Sequence, residues 1–196
     1  MFIDTTAESA AEGALAEWYH SQRSSWGFLP DYAGCFSTRP DVASAWANLN
    51  LTIRGGMDRR RFELVTIAAA RARRSTYCTV AHSMFLRDVC GDGDTVDQLG
   101  LAPDGQTLSA QDAAVYAFAT KIAQDASTVG AADVDALRDA GFTDAEIADV
   151  VHAVAARLFF TTVLDGLGAR LDPQTAATFD SEALEGMVVG RPIGSA

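Results

Sequence analysis

The chain holds only 5 prolines and 3 cysteines in 196 residues, and 15 Lys and Arg stand against 26 Asp and Glu. Each shortage excludes something. Scarce proline leaves long stretches free to be helical. Cys35, Cys78 and Cys90 are odd in number and widely spaced, which argues against a disulfide scaffold and fits reduced thiols in a cytoplasmic protein. A net charge of -11 leaves no basic face for nucleic acid or an anionic membrane, so neither partner is expected. The opening MFIDTTAESAAEG lacks the basic and apolar regions of a targeting segment. The longest apolar stretch, Val150 to Leu167, is interrupted by His152, Arg157 and Asp165, which suits a buried helix better than a membrane span. Nowhere does the chain alternate as a half-buried strand must.

What remains reads as helices. Hydrophobic residues make up 48% and charged residues 21%, enough for one sizeable core. Thr5 or Thr6 is placed to cap a first helix to about Arg23, with Leu15, Trp18 and Tyr19 on one face. SSWGFLPDYAGCFSTR is irregular. Pro40 opens a second helix that stops near Gly55, and Asp58 opens a third through FELVTIAAARARR. A fourth runs from about Ser75 to before Gly91. GDGDTVDQLGLAPDGQ reads as a loop with at most one short turn. Ser109 starts a fifth helix, AADVDALRDAG forms a sixth, and Thr143 caps a long seventh. The expected fold class is all-α: one helical bundle over 1–172, and a weakly patterned tail, 173–196, that wraps a neighbouring subunit or is partly disordered. The Ala-rich third and fourth helices are apolar on more than one face, which one short bundle does not cover, so a homo-oligomer is expected.

An internal echo recurs at 86 residues. Gly55, Asp58, Val65, Ala69, Ala70 and Arg71 reappear as Gly141, Asp144, Val151, Ala155, Ala156 and Arg157. This is the pattern of a duplicated helix pair. The counterparts of Ser75, Cys78 and His82 are Thr161, Leu164 and Gly168, so only the first copy carries thiol chemistry.

The chemistry lies in RRSTYCTVAHSMF. With Ser75 opening the fourth helix, Ser75, Cys78 and His82 fall on one stripe. Cys78 sits in the first turn, where free N–H groups and the helix dipole favour an anion. His82 is one turn on. Both effects lower a thiol pKa, and a drop of roughly 1.5 units takes a thiol from about 3% thiolate to about half at pH 7. Glu63, alone among apolar neighbours in FELVTIAAA, either orients His82 for proton transfer or pairs with Arg59 at the surface. Cys78 and His82 are either this reactive pair or two packed residues. The arginines at 59–61 and 71–74 form a solvated face, a subunit contact or an anion site. His20, His152, Cys35 and Cys90 show no ligand spacing, and one Cys, one His and one Glu are too few for zinc, so neither metal nor cofactor is expected.

FELVTIAAARARRSTYCTVAH resembles the signature of the alkylhydroperoxidase D-like branch of the carboxymuconolactone decarboxylase superfamily: a Glu, a CxxC, and a His four residues after the second Cys. Glu63, Cys78 and His82 take those positions, and Tyr77 matches the common aromatic before that Cys. GFLP, LSAQDAAVYAFA and GFTDAEIADVVHAVA are similar to the group called peroxidase-related proteins, so the likeness spans roughly 25–172. It implies an all-helical, homo-oligomeric protein that reduces hydroperoxides, with Cys78 as nucleophile and Glu63 and His82 as proton relay. The departure is Ser75, where the family has its first Cys. Serine cannot close the CxxC disulfide, so turnover requires an external thiol or another cysteine, and Ser75 is left to hydrogen-bond the sulfur or cap the helix. The same resemblance implies two alternatives: a decarboxylase-like enzyme acting by proton transfer on a small acid or lactone, and a non-catalytic homologue. Of the three thiols, Cys78 is expected to alkylate fastest.

Overall fold

The computed structural model describes residues 1–193. Among these residues ten α-helices follow one another: α1 (Gly13–Trp26), α2 (Pro40–Gly55), α3 (Arg59–Ala72), α4 (Thr76–Asp88), α5 (Gly93–Leu101), α6 (Ala110–Asp125), α7 (Ala131–Asp139), α8 (Asp144–Leu167), α9 (Pro173–Ala176) and α10 (Ser181–Met187). Among the described residues there is no strand. The all-α expectation holds.

α3 is the axis of the bundle. Every residue from Phe62 to Ala70 is buried. Small Ala side chains let α2, α4, α6 and α8 approach it from different sides. The Asp58 side chain accepts from the Arg61 N–H and so caps its start. α8 is the second core helix. Thr143 and Glu146 form a reciprocal cap at its start, and Gly168, at φ 82°, ends it in the left-handed conformation. α8 is long and apolar enough to cross a membrane, yet half of its apolar window is buried inside the bundle and it carries Arg157 and Asp165.

Four expectations need correction. First, α1 starts at Gly13, after a 3-10 turn at Glu8–Ala10, and runs on to Trp26. Second, the presumed loop after Gly91 contains α5, nine residues long, capped by Asp92 and anchored by buried Val96 and Leu99. Two apolar residues in a Gly- and Asp-rich segment carry little periodicity, and packing on α4 and α10 supplies what propensity does not. Third, the echo is a single helix and not a pair. α3 breaks at Ala72 and the chain restarts as α4, whereas α8 runs unbroken through Thr161 and Leu164. Fourth, the arginines do not form one face: Arg73 and Arg74 are exposed, as a solvated face requires, but the others are engaged within the chain. Arg60 bridges Asp92 and Asp112, Arg61 meets Glu146, and Arg71 donates to the Gly186 carbonyl.

The tail, as far as Ile193, packs on its own chain; residues 194–196 lie outside the described residues. α9 lies on α4, and α10 lies on α4 and α5. Beyond α10 the chain reaches the start of α4, where the Gly190 N–H donates to Thr76 Oγ1 at 3.0 Å and Arg74 Nε donates to the Val189 carbonyl at 3.1 Å. Arg74 itself is left-handed, at φ 57°. A Cβ on residue 190 would stand 1.7 Å from the Arg74 carbonyl oxygen, so only glycine fits this approach.

Candidate active site

Ser75 occupies the N-cap of α4 with extended backbone, and Cys78 is the third residue of the helix. The first α4 backbone bond is Thr79 N–H to the Ser75 carbonyl, so the sulfur sits at the positive end of the helix, as the spacing predicts. The Ser75 side chain does not cap the helix. Its fully buried hydroxyl makes no well-formed hydrogen bond, yet it lies close enough to the Cys78 sulfur and the Asp165 carboxyl to favour their charged forms.

His82 lies one turn further along α4, facing Glu63 on α3. His82 Nδ1 and Glu63 Oε2 are 2.5 Å apart, and Glu63 Oε1 accepts from Arg59 Nε at 2.5 Å. Glu63 thus meets both partners that the sequence offered, His82 and Arg59, but the pairing with Arg59 is buried at the carboxylate and not at the surface. Burial opposes ionisation of Glu63, but His82 and Arg59 outweigh it and hold the carboxyl below the usual carboxylate range. Burial, reinforced by the positive charge of Arg157, lowers the His82 pKa to about 4 against the pull of Glu63. The imidazole is thus neutral at pH 7. Its Nδ1–H donates to the carboxylate, which leaves Nε2 as a bare acceptor, the tautomer a general base requires.

The sulfur has a partner that the sequence reading missed. Arg157 Nη1, from α8, lies 3.8 Å from Cys78 Sγ. Among the described residues no hydrogen bond joins the sulfur to His82. Arg157 is only 3% exposed, and its Nε finds no acceptor among the described residues. The guanidinium carbon stands 5.8 Å from the Trp46 ring and 5.3 Å from the Phe160 ring. The expected depression of the thiol pKa does not occur. Burial pushes Cys78 up, and Arg157 and Ser75 only partly offset this. Cys35 is raised to about 12 and Cys90 is also raised, both chiefly by burial.

Cys78, His82, Glu63 and Arg157 all border one cavity of about 500 Å³. Its walls are aromatic, drawn from α1, the segment after it, α2, α3, α4 and α8. The sequence carried one signal for Arg157, a cation inside an apolar run. The wall residues Trp26 and Tyr32 sat in a segment read only as irregular. Tyr77, beside the thiol, is tied down by its hydroxyl, which donates to the Asp172 carboxylate.

Known proteins resemble this chain in part of its sequence and in its fold. Residues 40–125 match the model of the carboxymuconolactone decarboxylase family. No curated protein matches the chain significantly. Among solved structures, a peroxidase-related protein from Ralstonia eutropha JMP134 with an alkylhydroperoxidase AhpD core is similar, with a TM-score of 0.79 and 22% identity over 89% of this chain and 93% of that one. A peroxidase-related protein from Silicibacter sp. TM1040 has a TM-score of 0.72 and 18% identity over 82% of this chain and 85% of that one. The debrominase Bmp8, as a cysteine-to-alanine variant in complex with 2,3,4-tribromopyrrole, has a TM-score of 0.73 and 16% identity over 93% of this chain and 97% of that one. At these identities the likeness is one of fold, and it agrees with the family match. The chain has the all-helical fold of these proteins, and its residues 40–125 match the carboxymuconolactone decarboxylase family model.

Proposed function

We propose that the protein is a single-cysteine, thiol-dependent peroxidase that reduces an organic hydroperoxide at Cys78. The observation that supports this reading is the grouping around one cavity: a sulfur 3.8 Å from a buried guanidinium, beside an imidazole held 2.5 Å from a carboxylate. On substrate entry His82 takes the thiol proton, directly or through a water, and Arg157 holds the thiolate. The sulfur attacks the terminal peroxide oxygen, the O–O bond breaks, and the alkoxide leaves with the proton returned by His82. Cys78 becomes a sulfenic acid and the hydroperoxide an alcohol. With serine at position 75 the sulfenic acid is resolved by an external thiol, which forms a mixed disulfide and releases water. A second thiol restores Cys78. This cycle suits a reducing compartment, where the three free thiols persist.

The test is a stoichiometric titration with cumene hydroperoxide, with dimedone trapping and mass analysis. One equivalent should modify Cys78 alone. Oxidation spread over all three cysteines, or none at Cys78, would refute the reading. A second reading turns the same thiol on a carbon–halogen bond. It is supported by the aromatic cavity and by a debrominase among the proteins of this fold. Halide release from a bromoaromatic compound, without sulfenylation by hydroperoxide, would favour it.

We also propose a homo-oligomer. Leu49 on α2 and Val151 and Phe159 on α8 are exposed, and an apolar groove runs between the two helices. Sedimentation at micromolar concentration should exceed the 20.7 kDa of one chain; a monomer refutes it.

A further inference from the structure

The cavity at Cys78 is larger than hydrogen peroxide needs. At about 500 Å³ it falls in the range of pockets that enclose ring-bearing ligands. Its walls are Trp26, Tyr32, Trp46, Phe62, Phe85 and Phe160. The polar atoms of these rings are used inside the protein. Trp26 Nε1 donates to the Tyr32 hydroxyl at 3.0 Å, that hydroxyl donates to Gln22 Oε1, and Trp46 Nε1 donates to the Ala156 carbonyl at 3.2 Å. What these side chains offer an occupant is π surface. Trp46 and Phe160 are stacked with centroids 4.0 Å apart and planes 14° from parallel, a flat and rigid wall.

Charge selects further. The charged residues lining the cavity are Arg54, Arg59, Glu63 and Arg157. Arg59 and Glu63 neutralise one another. The cavity is therefore positive within a chain of net charge -11. Arg157 is the deep cation. It is buried, and among the described residues no carboxylate pairs with it and its Nε has no acceptor. A buried guanidinium with unused donors is costly unless an anion arrives to take them.

We infer that the cavity binds a flat aromatic monoanion, in its simplest form an aryl carboxylate, with the ring among the aromatic walls and the charge on Arg157. The inference rests on the proposed function only in taking this molecule as the substrate of Cys78; binding itself needs no thiol. The substrate then enters by its ring and its charge, and the group that reacts is a substituent brought against the sulfur.

The test is calorimetric titration of the Cys78→Ala variant with benzoate, benzamide and cyclohexanecarboxylate. Benzoate should bind about tenfold tighter than either control. In Arg157→Gln on the same background benzoate should fall to about the level of benzamide, and Arg157→Lys should restore part of the preference. Equal binding of benzoate and benzamide overturns the ionic half, and equal binding of benzoate and cyclohexanecarboxylate overturns the aromatic half. No binding of benzoate up to roughly 10 mM overturns both. Should Arg157→Gln fail to fold, the three-probe comparison on the Cys78→Ala protein still decides. Sulfenylation of Cys78 in the wild type together with no preference for benzoate would sink this inference alone. The preference without sulfenylation would sink the proposed function alone.

Discussion

Burial of a neutral His82 makes the fold sensitive to mild acid, and the size of the effect follows from the site. In the unfolded chain a histidine titrates near 6.5, whereas in the fold His82 titrates at about 4. Between these values the unfolded state binds a proton that the folded state refuses. Stability is therefore complete above about pH 6.5 and is lost as pH falls toward 4. The gap in pKa corresponds to about 3 kcal/mol in full, of which about 2 kcal/mol is lost between pH 7 and pH 5. His82→Gln keeps a polar side chain of similar size and removes the titration. Urea unfolding of wild type and variant at both pH values isolates the term, because the exposed His20 and His152 are common to both proteins. The wild type should lose about 2 kcal/mol more than the variant. If the two lose equal amounts, burial does not depress the His82 pKa; if the wild type gains on acidification, the fold prefers the charged imidazole, which cannot be the resting base.

The other expectations are more direct. Burial reverses the order of alkylation expected from the sequence: a bulky maleimide should label Cys90 before Cys78 at pH 7, because Cys90 is partly exposed and Cys78 is buried, while a small hydroperoxide should favour Cys78; peptide mapping after each reagent checks both. Ser75→Cys should restore a CxxC pair at the start of α4, so that peroxide yields an intramolecular disulfide instead of stopping at sulfenic acid, read as a mass loss of two hydrogens. Gly190→Ala should destabilise the protein by about 1–3 kcal/mol, through the clash with the Arg74 carbonyl, and should raise hydrogen exchange at the first turn of α4; unchanged exchange there would mean that the tail does not secure that turn. Ile67→Ala, in the middle of α3, should cost about 2–5 kcal/mol in chemical denaturation.

The elements legible in the sequence were those with both a cap and a period. Asp58, Ser109 and Thr143 each accept a backbone N–H at the start of the helix they were expected to open. Within the site, Glu63 and His82 could be paired in advance because they belong to one short motif. Three things were not legible. α5 depends on neighbours for its stability. The partners of Arg60 and Arg61 lie 32 to 85 residues away. Arg157 is 79 residues from the sulfur it faces. Spacing along one helix names the residues that share a face, but it says nothing of what a second helix brings to that face. For the same reason the expected fall in the thiol pKa failed: the dipole and the nearby histidine can be read locally, while burial is set by the whole bundle.

α8 carries a tension that follows from the buried guanidinium. A cation enclosed without a carboxylate among the described residues lowers the stability of the native state, and an apolar side chain of similar length would pack against the stacked Trp46 and Phe160 rings without that penalty. Arg157→Met is thus a substitution that selection for thermal robustness alone would favour, and that selection for thiol chemistry would remove. Retention of an arginine at this position across related chains would record which of the two pressures has been the stronger.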